Sequence, residues 1–158
     1  MKLLSESGVV PAFDDLIIST TDDAQLVEPG RYDAVVISCR KECRFNRDLI
    51  AFKFRLVTQG GSFDVILPGY CNLDFGRGRN RQIPPRSKLG RWLRVINRFD
   101  PSVSTRRFHL SIFSQFQFVV EVGVTALDHL QRPLSEQDRY SKVQEILDVV
   151  GRLRRKER

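Results

Sequence analysis

The nine residues LIAFKFRLV, positions 49–57, constrain this chain more than any other stretch. Successive side chains of a strand point to opposite faces, so Ile50, Phe52, Phe54 and Leu56 share one side while Lys53 and Arg55 share the other. That alternation describes a strand with one face in a core and the other in water. The phenylalanines are expected inside, and the two cations point where a ligand can sit.

The flanking segments extend the pattern. After a turn at Pro29-Gly30, YDAVVISCRK (32–41) is rich in β-branched residues and predicts a first strand with Tyr32, Ala34 and Val36 on one face. Phe45-Asn46-Arg47-Asp48 supplies the turn into the second strand. Gln59-Gly60-Gly61-Ser62 is a hairpin signal, and FDVIL (63–67) predicts a third strand, ended by Pro68-Gly69. From Ser87 the period becomes helical: Leu89, Trp92, Leu93, Ile96 and Phe99 form one apolar stripe, with Arg91, Arg94 and Arg98 opposite. Pro101 stops that helix, and Trp92, lying on the stripe, is expected in the core. Residues 102–115 read as irregular chain or a helical turn. FQFVVEVGV (116–124) predicts another strand, with Phe116, Phe118, Val120, Val122 and Val124 in one row. For the last segment two readings stay open. Tyr140, Val143, Ile146, Leu147, Val150 and Leu153 fit a C-terminal helix capped by Ser135, which the periodicity favours, and YSKVQEIL fits a closing strand.

Charge is distributed unevenly. Residues 1–30 hold one base and six acids, whereas Arg77 to Arg107 hold ten bases and one acid, Asp100. A cationic run of this kind attracts polyanions, nucleic acid first. Its centre is FGRGRNRQIPPRSK (75–88), five positive charges among two glycines and two prolines. The chain divides into an acidic arm (1–25), a domain (26–150) and a basic tail (151–158). Residues 1–30, with their six acids, are expected to fold back over the basic groove and compete with nucleic acid. No apolar run nears the roughly 20 residues that span a bilayer, and MKLLSESGVV is too weak for a secretory signal, so no membrane association and a cytoplasmic location are expected. Three cysteines, an odd number, fit that compartment. Cys39, Cys43, Cys71, His109 and His129 lack the paired tight turns of a zinc site, and no cofactor or metal is expected.

Three strands, a helix, another strand and a candidate fifth follow the order of an OB-fold, a mainly β, five-stranded barrel with a helix between strands 3 and 4. The runs PGRYDAVVIS, LIAFKFRLVTQGGSFDVIL, SKLGRWLRVI and FQFVVEV, within residues 27–147, resemble small OB-fold single-stranded DNA-binding proteins of phages and mobile elements. The pattern departs at Ser114-Gln115, where a glycine is expected, and in its basic rather than acidic C-terminus. The resemblance implies a sequence-tolerant binder of single-stranded DNA, with RNA the other candidate, acting alone, as a homo-oligomer or in a larger nucleoprotein assembly. The residue chemistry points the same way. A single strand requires cations for phosphates and flat side chains for bases. Lys53, Arg55, Arg77, Arg79, Arg81, Arg86, Lys88 and Arg91 are the expected cations, and Tyr70 and Phe75, then Phe45, the expected stacking residues.

Two other function classes are weaker. A nuclease needs clustered carboxylates for Mg²⁺, yet none of the six lysines has Asp or Glu two positions before it. No phosphate-binding G-x-x-x-x-G-K-[ST] occurs, so the expected protein is not an enzyme. A protein-interaction module with a basic groove is the remaining alternative.

Overall fold

A computed structural model describes residues 26–57, 65–73, 82–128 and 130–154. Five strands and one helix follow in the order β1 (Gly30–Arg44), β2 (Arg47–Val57), β3 (Ile66–Asn72), α1 (Lys88–Phe99), β4 (Phe116–Thr125) and β5 (Tyr140–Arg152). The protein is mainly β. Its sheet runs β1-β2-β3-β5-β4 and closes on itself in a ring, because β4 also pairs with the start of β1. The helix stands between strands 3 and 4, as expected.

β1 is longer than its sequence reading because it serves two partners. Its first residues pair antiparallel with both β4 and β2, and Ser38 to Arg44 pair with β2 alone. The register slips by one residue at Ile37, between Val36 and Ser38. An extra residue in one strand bends it and sharpens its twist, which is what a strand that turns a corner needs. β2 follows its alternation throughout: Ile50, Phe52, Phe54 and Leu56 are buried, and Lys53 and Arg55 exposed.

The third strand differs from expectation. It begins at Ile66 and continues through Pro68-Gly69 to Asn72 rather than ending there. Pro68 is tolerated because it stands opposite Lys53 at an alternate position whose N–H would point away from β2; the β2–β3 bond from Leu56 N to Val65 O sets that phase. Gly69 is required by packing: a Cβ there would lie 2.7 Å from Phe54 Cε2. Parallel pairing of β3 with β5 occurs at this same glycine, opposite Val143. The hairpin signal at 59–62 lies outside the described residues.

The C-terminal helix reading is overturned: Tyr140–Arg152 is a strand. Its buried residues are Ser141, Val143, Ile146 and Val149. The two three-residue steps break the strand period twice. Of the residues that fitted a helix, Val143 and Ile146 are buried, while Val150 is exposed and its neighbour Val149 is buried instead. Ser135 precedes only a short 3₁₀ turn, Glu136–Asp138, without capping it.

Aromatic side chains fill the ring. Trp92 of α1 is fully buried and meets Phe52 and Phe54 edge-on, at 5.1 and 5.9 Å between centroids. Phe113, from a 3₁₀ turn at Leu110–Gln115, closes on Phe52 at 5.0 Å. The helix starts where the sequence placed it: Ser87 Oγ accepts the Gly90 N–H, and Asp100 N–H donates to Ile96 O at the far end. Phe99 alone leaves the predicted stripe, remaining 47% exposed. Residues 124–141 with Val27 form a separate compact unit. There Asp128 organises a turn by accepting the Leu130 and Arg132 N–H groups, and Val27 N–H donates to Ser141 Oγ.

Candidate nucleic-acid interface

Because β2 sends its even-numbered residues inward, its odd-numbered ones define an outer face together with their register partners. Three rows cross it: Val35–Arg55–Ile66, Ser38–Lys53–Pro68 and Arg40–Ala51–Tyr70. Lys53 and Arg55 are both exposed, and neither has a partner among the described residues. Ser38, Pro68 and Ala51 are small neighbours, so the rows carry charge at their centre and open, low-lying surface beside it.

Tyr70 sits at the edge of this surface, half-buried. Arg44 crosses from β1 to hold it, with Cζ 5.2 Å from the ring centroid and Nη1 donating to the phenol oxygen at 3.2 Å. Glu42 in turn pairs with Arg44 at 2.9 Å and with Arg40 at 3.2 Å. One carboxylate thus steadies two arginines and, through one of them, an aromatic ring.

The β1–β2 hairpin ends the face. Arg44 and Arg47 stand opposite each other around a two-residue turn, Phe45-Asn46, with φ of 52° and 61°. Two positive φ values mark a type I′ turn, for which Asn and Gly are the favoured residues and phenylalanine is not. A bulky residue there costs on the order of 1 kcal/mol, and like charges face to face add to it. Phe45 is also 67% exposed. Two locally unfavourable choices at one tip, a bulky residue at positive φ and two arginines face to face, are the kind of strain that collects at binding sites.

The helix-side candidates are placed differently. Arg86 is exposed, but its carbonyl accepts from Arg91 Nη1 at 2.8 Å. Arg91 also forms an ion pair with Glu145 of β5, whose other oxygen accepts the Trp92 indole N–H at 2.8 Å. Lys88 is half-buried with Nζ 5.2 Å from the Trp92 ring. Burial lowers its pKa below the ordinary lysine value, and the nearby Lys142 and Arg91 lower it further against the opposing influence of Cys71 and Glu145. Arg91 therefore fastens α1 to β5, Lys88 lies against Trp92 of its own helix, and neither belongs to the three rows of the outer face. Phe75, Arg77, Arg79 and Arg81 lie outside the described residues.

The reading from sequence missed Arg40, Arg44 and Arg47. Arg40 and Arg44 become legible only once the slip at Ile37 is known, since it decides which β1 residues point outward. Burial pushes the Cys71 and Cys39 thiols up to about 12, which keeps both protonated at neutral pH, while Cys43 is exposed. Among the described residues no three His, Cys, Asp or Glu side chains converge as a metal site requires. His129 is not among them. No helix among those residues is long and apolar enough to cross a membrane. No protein-family model, curated protein or solved structure matches this chain.

Proposed function

We propose that this chain is a non-catalytic OB-fold protein that binds single-stranded nucleic acid, DNA in the first place, across the outer face of β1, β2 and β3. The strand order β1-β2-β3-β5-β4, the closing of the sheet and the helix between strands 3 and 4 support the OB-fold reading. The observation that carries the function is the juxtaposition of unpaired Lys53 and Arg55 with Tyr70 on one face, with the exposed Phe45 at the hairpin turn that ends it. Cations attract the phosphates and rings offer stacking surfaces to any base, which gives affinity without sequence choice. Arginine suits both tasks, since its planar fork grips phosphate and also stacks. Arg77, Arg79 and Arg81 join this reading on charge alone, as does the exposed Arg86.

Fluorescence anisotropy with one labelled sequence as single-stranded DNA, duplex DNA and RNA, across a salt series, tests the proposal. Single-stranded DNA is expected to bind tightest. Equal or tighter binding of the duplex rejects the single-strand reading, tighter binding of RNA changes the substrate, and binding of none leaves the interaction module.

A further inference from the structure

A second basic surface shares no residue with the sheet face. A cavity of about 890 Å³ opens between α1 and the turn at 105–108. That volume lies within the roughly 300–1,000 Å³ of small-molecule sites. Arg94, Arg106 and Arg107 line it, and no carboxylate does among the described residues. Its apolar wall is Ile83, Leu93 and Phe108.

Hydrogen bonds fix the backbone that carries Arg106 and Arg107 and the side chain of Arg94. Ser104 Oγ accepts the backbone N–H of both Arg106 and Arg107, each at 3.1 Å, which sets the turn from which the two side chains leave. Asn97 Nδ2 donates to Val103 O at 2.8 Å and ties that turn to the helix. Arg94 Nη2 donates to Pro85 O at 3.2 Å, orienting its guanidinium across the opening. Gly90 lets the helix close against the Pro84-Pro85 backbone, since a Cβ there would meet Pro84 O at 2.3 Å. Three like charges gathered around one opening repel one another until an anion joins them. Arg106 and Arg107 have no ion pair among the described residues to relieve this.

We infer that this cavity binds a phosphorylated nucleoside, its phosphates held by the three guanidiniums and its base against Phe108, Ile83 and Leu93. Guanidinium forks match phosphate oxygens bidentately, and a planar base suits an apolar wall with an aromatic edge. The ligand is either a free nucleotide or the 5′-phosphorylated end of a strand, which present the same chemistry.

Calorimetric titration of the full chain with ADP, with pyrophosphate as competitor, tests the inference. ADP is expected to bind and pyrophosphate to displace it. Arg106→Ala with Arg107→Ala is expected to weaken ADP binding about tenfold or more, the scale of one lost charge-assisted hydrogen bond. Both side chains are exposed, so the melting temperature should hold, and Lys53→Ala with Arg55→Ala should leave ADP binding unchanged. Comparing 5′-phosphorylated with 5′-hydroxyl oligonucleotides assigns the source: a preference for the phosphate identifies a strand end, and equal binding identifies the free nucleotide. Absence of ADP binding, or ADP binding that the double variant leaves intact, overturns the inference.

Discussion

Lys53 and Arg55 on the outer face of β2 and Lys88 and Arg91 at the start of α1 carry the same kind of charge and use it in opposite ways. On β2, Lys53 and Arg55 face solvent with no partner among the described residues. On α1, Arg91 is bound to Glu145 and to the Arg86 carbonyl, while Lys88 lies over Trp92. The sequence shows ten cations in a run from Arg77 to Arg107 and only three on β2, so density alone points to the helix. The difference teaches that availability matters more than density. A cation whose charge a carboxylate already balances, as Glu145 balances Arg91, has less to offer a phosphate than one that faces solvent alone.

The comparison breaks if helix-side changes act on binding rather than on folding. The largest expected effect is on stability, from Trp92→Ala. Trp92 is fully buried against Phe52 and Phe54, so its loss should cost about 3–5 kcal/mol by chemical denaturation. The folded fraction should still bind single-stranded DNA with unchanged salt dependence. A stable variant that has lost binding would place the base-stacking surface at the helix instead.

Phe45→Gly sharpens the comparison, because its two effects should have opposite signs. Glycine accepts the positive φ at this turn without strain, so stability should hold or rise by up to about 1 kcal/mol. Single-strand affinity should fall by about 1–3 kcal/mol, the range of one lost base–aromatic stack. A loss of stability together with unchanged affinity would make Phe45 a structural residue.

A pH-dependent effect separates the interior from the outer face under alkaline conditions. Burial raises the Cys39 and Cys71 thiols from 9.0 to about 12 in the folded chain. Between those values the unfolded chain gives up protons that the folded chain keeps. This contribution to stability is therefore whole below pH 9.0 and is lost as the pH rises toward about 12. Lys88, whose folded pKa is lowered, acts in the opposite direction. Subtracting the denaturation curves of a Cys39→Ala, Cys71→Ala variant from those of the parent isolates the thiols. A difference that does not change with pH in that window would mean that the two thiols are solvated.

How much of this the sequence disclosed depended on whether local period and tertiary role agreed. β2 agreed at every position, and so did α1 up to Phe99, because each element has one buried face with its own regular spacing. β5 did not. Its apolar Tyr140, Val143 and Ile146 step by three, as do Leu147, Val150 and Leu153, so a strand read as a helix. β3 passes through Pro68-Gly69, a pair that usually ends strands, because its proline N-position faces away from β2 and its glycine makes room for Phe54. At the interface, alternation alone placed Lys53 and Arg55. The clamp of Arg44 on Tyr70 joins residues 26 positions apart and depends on a register slip that no local pattern announces.

The salt dependence of single-stranded DNA binding in Lys53→Ala, Arg55→Ala tests the central claim most directly. Each phosphate contact to a single strand contributes roughly 0.7 to the slope of log affinity against log salt, so losing both should flatten it by about 1.4. Lys88→Ala, Arg91→Ala, measured alongside, should lower the melting temperature and keep the parental slope. A parental slope in the β2 variant, with the flattening appearing in the helix variant instead, would contradict the account.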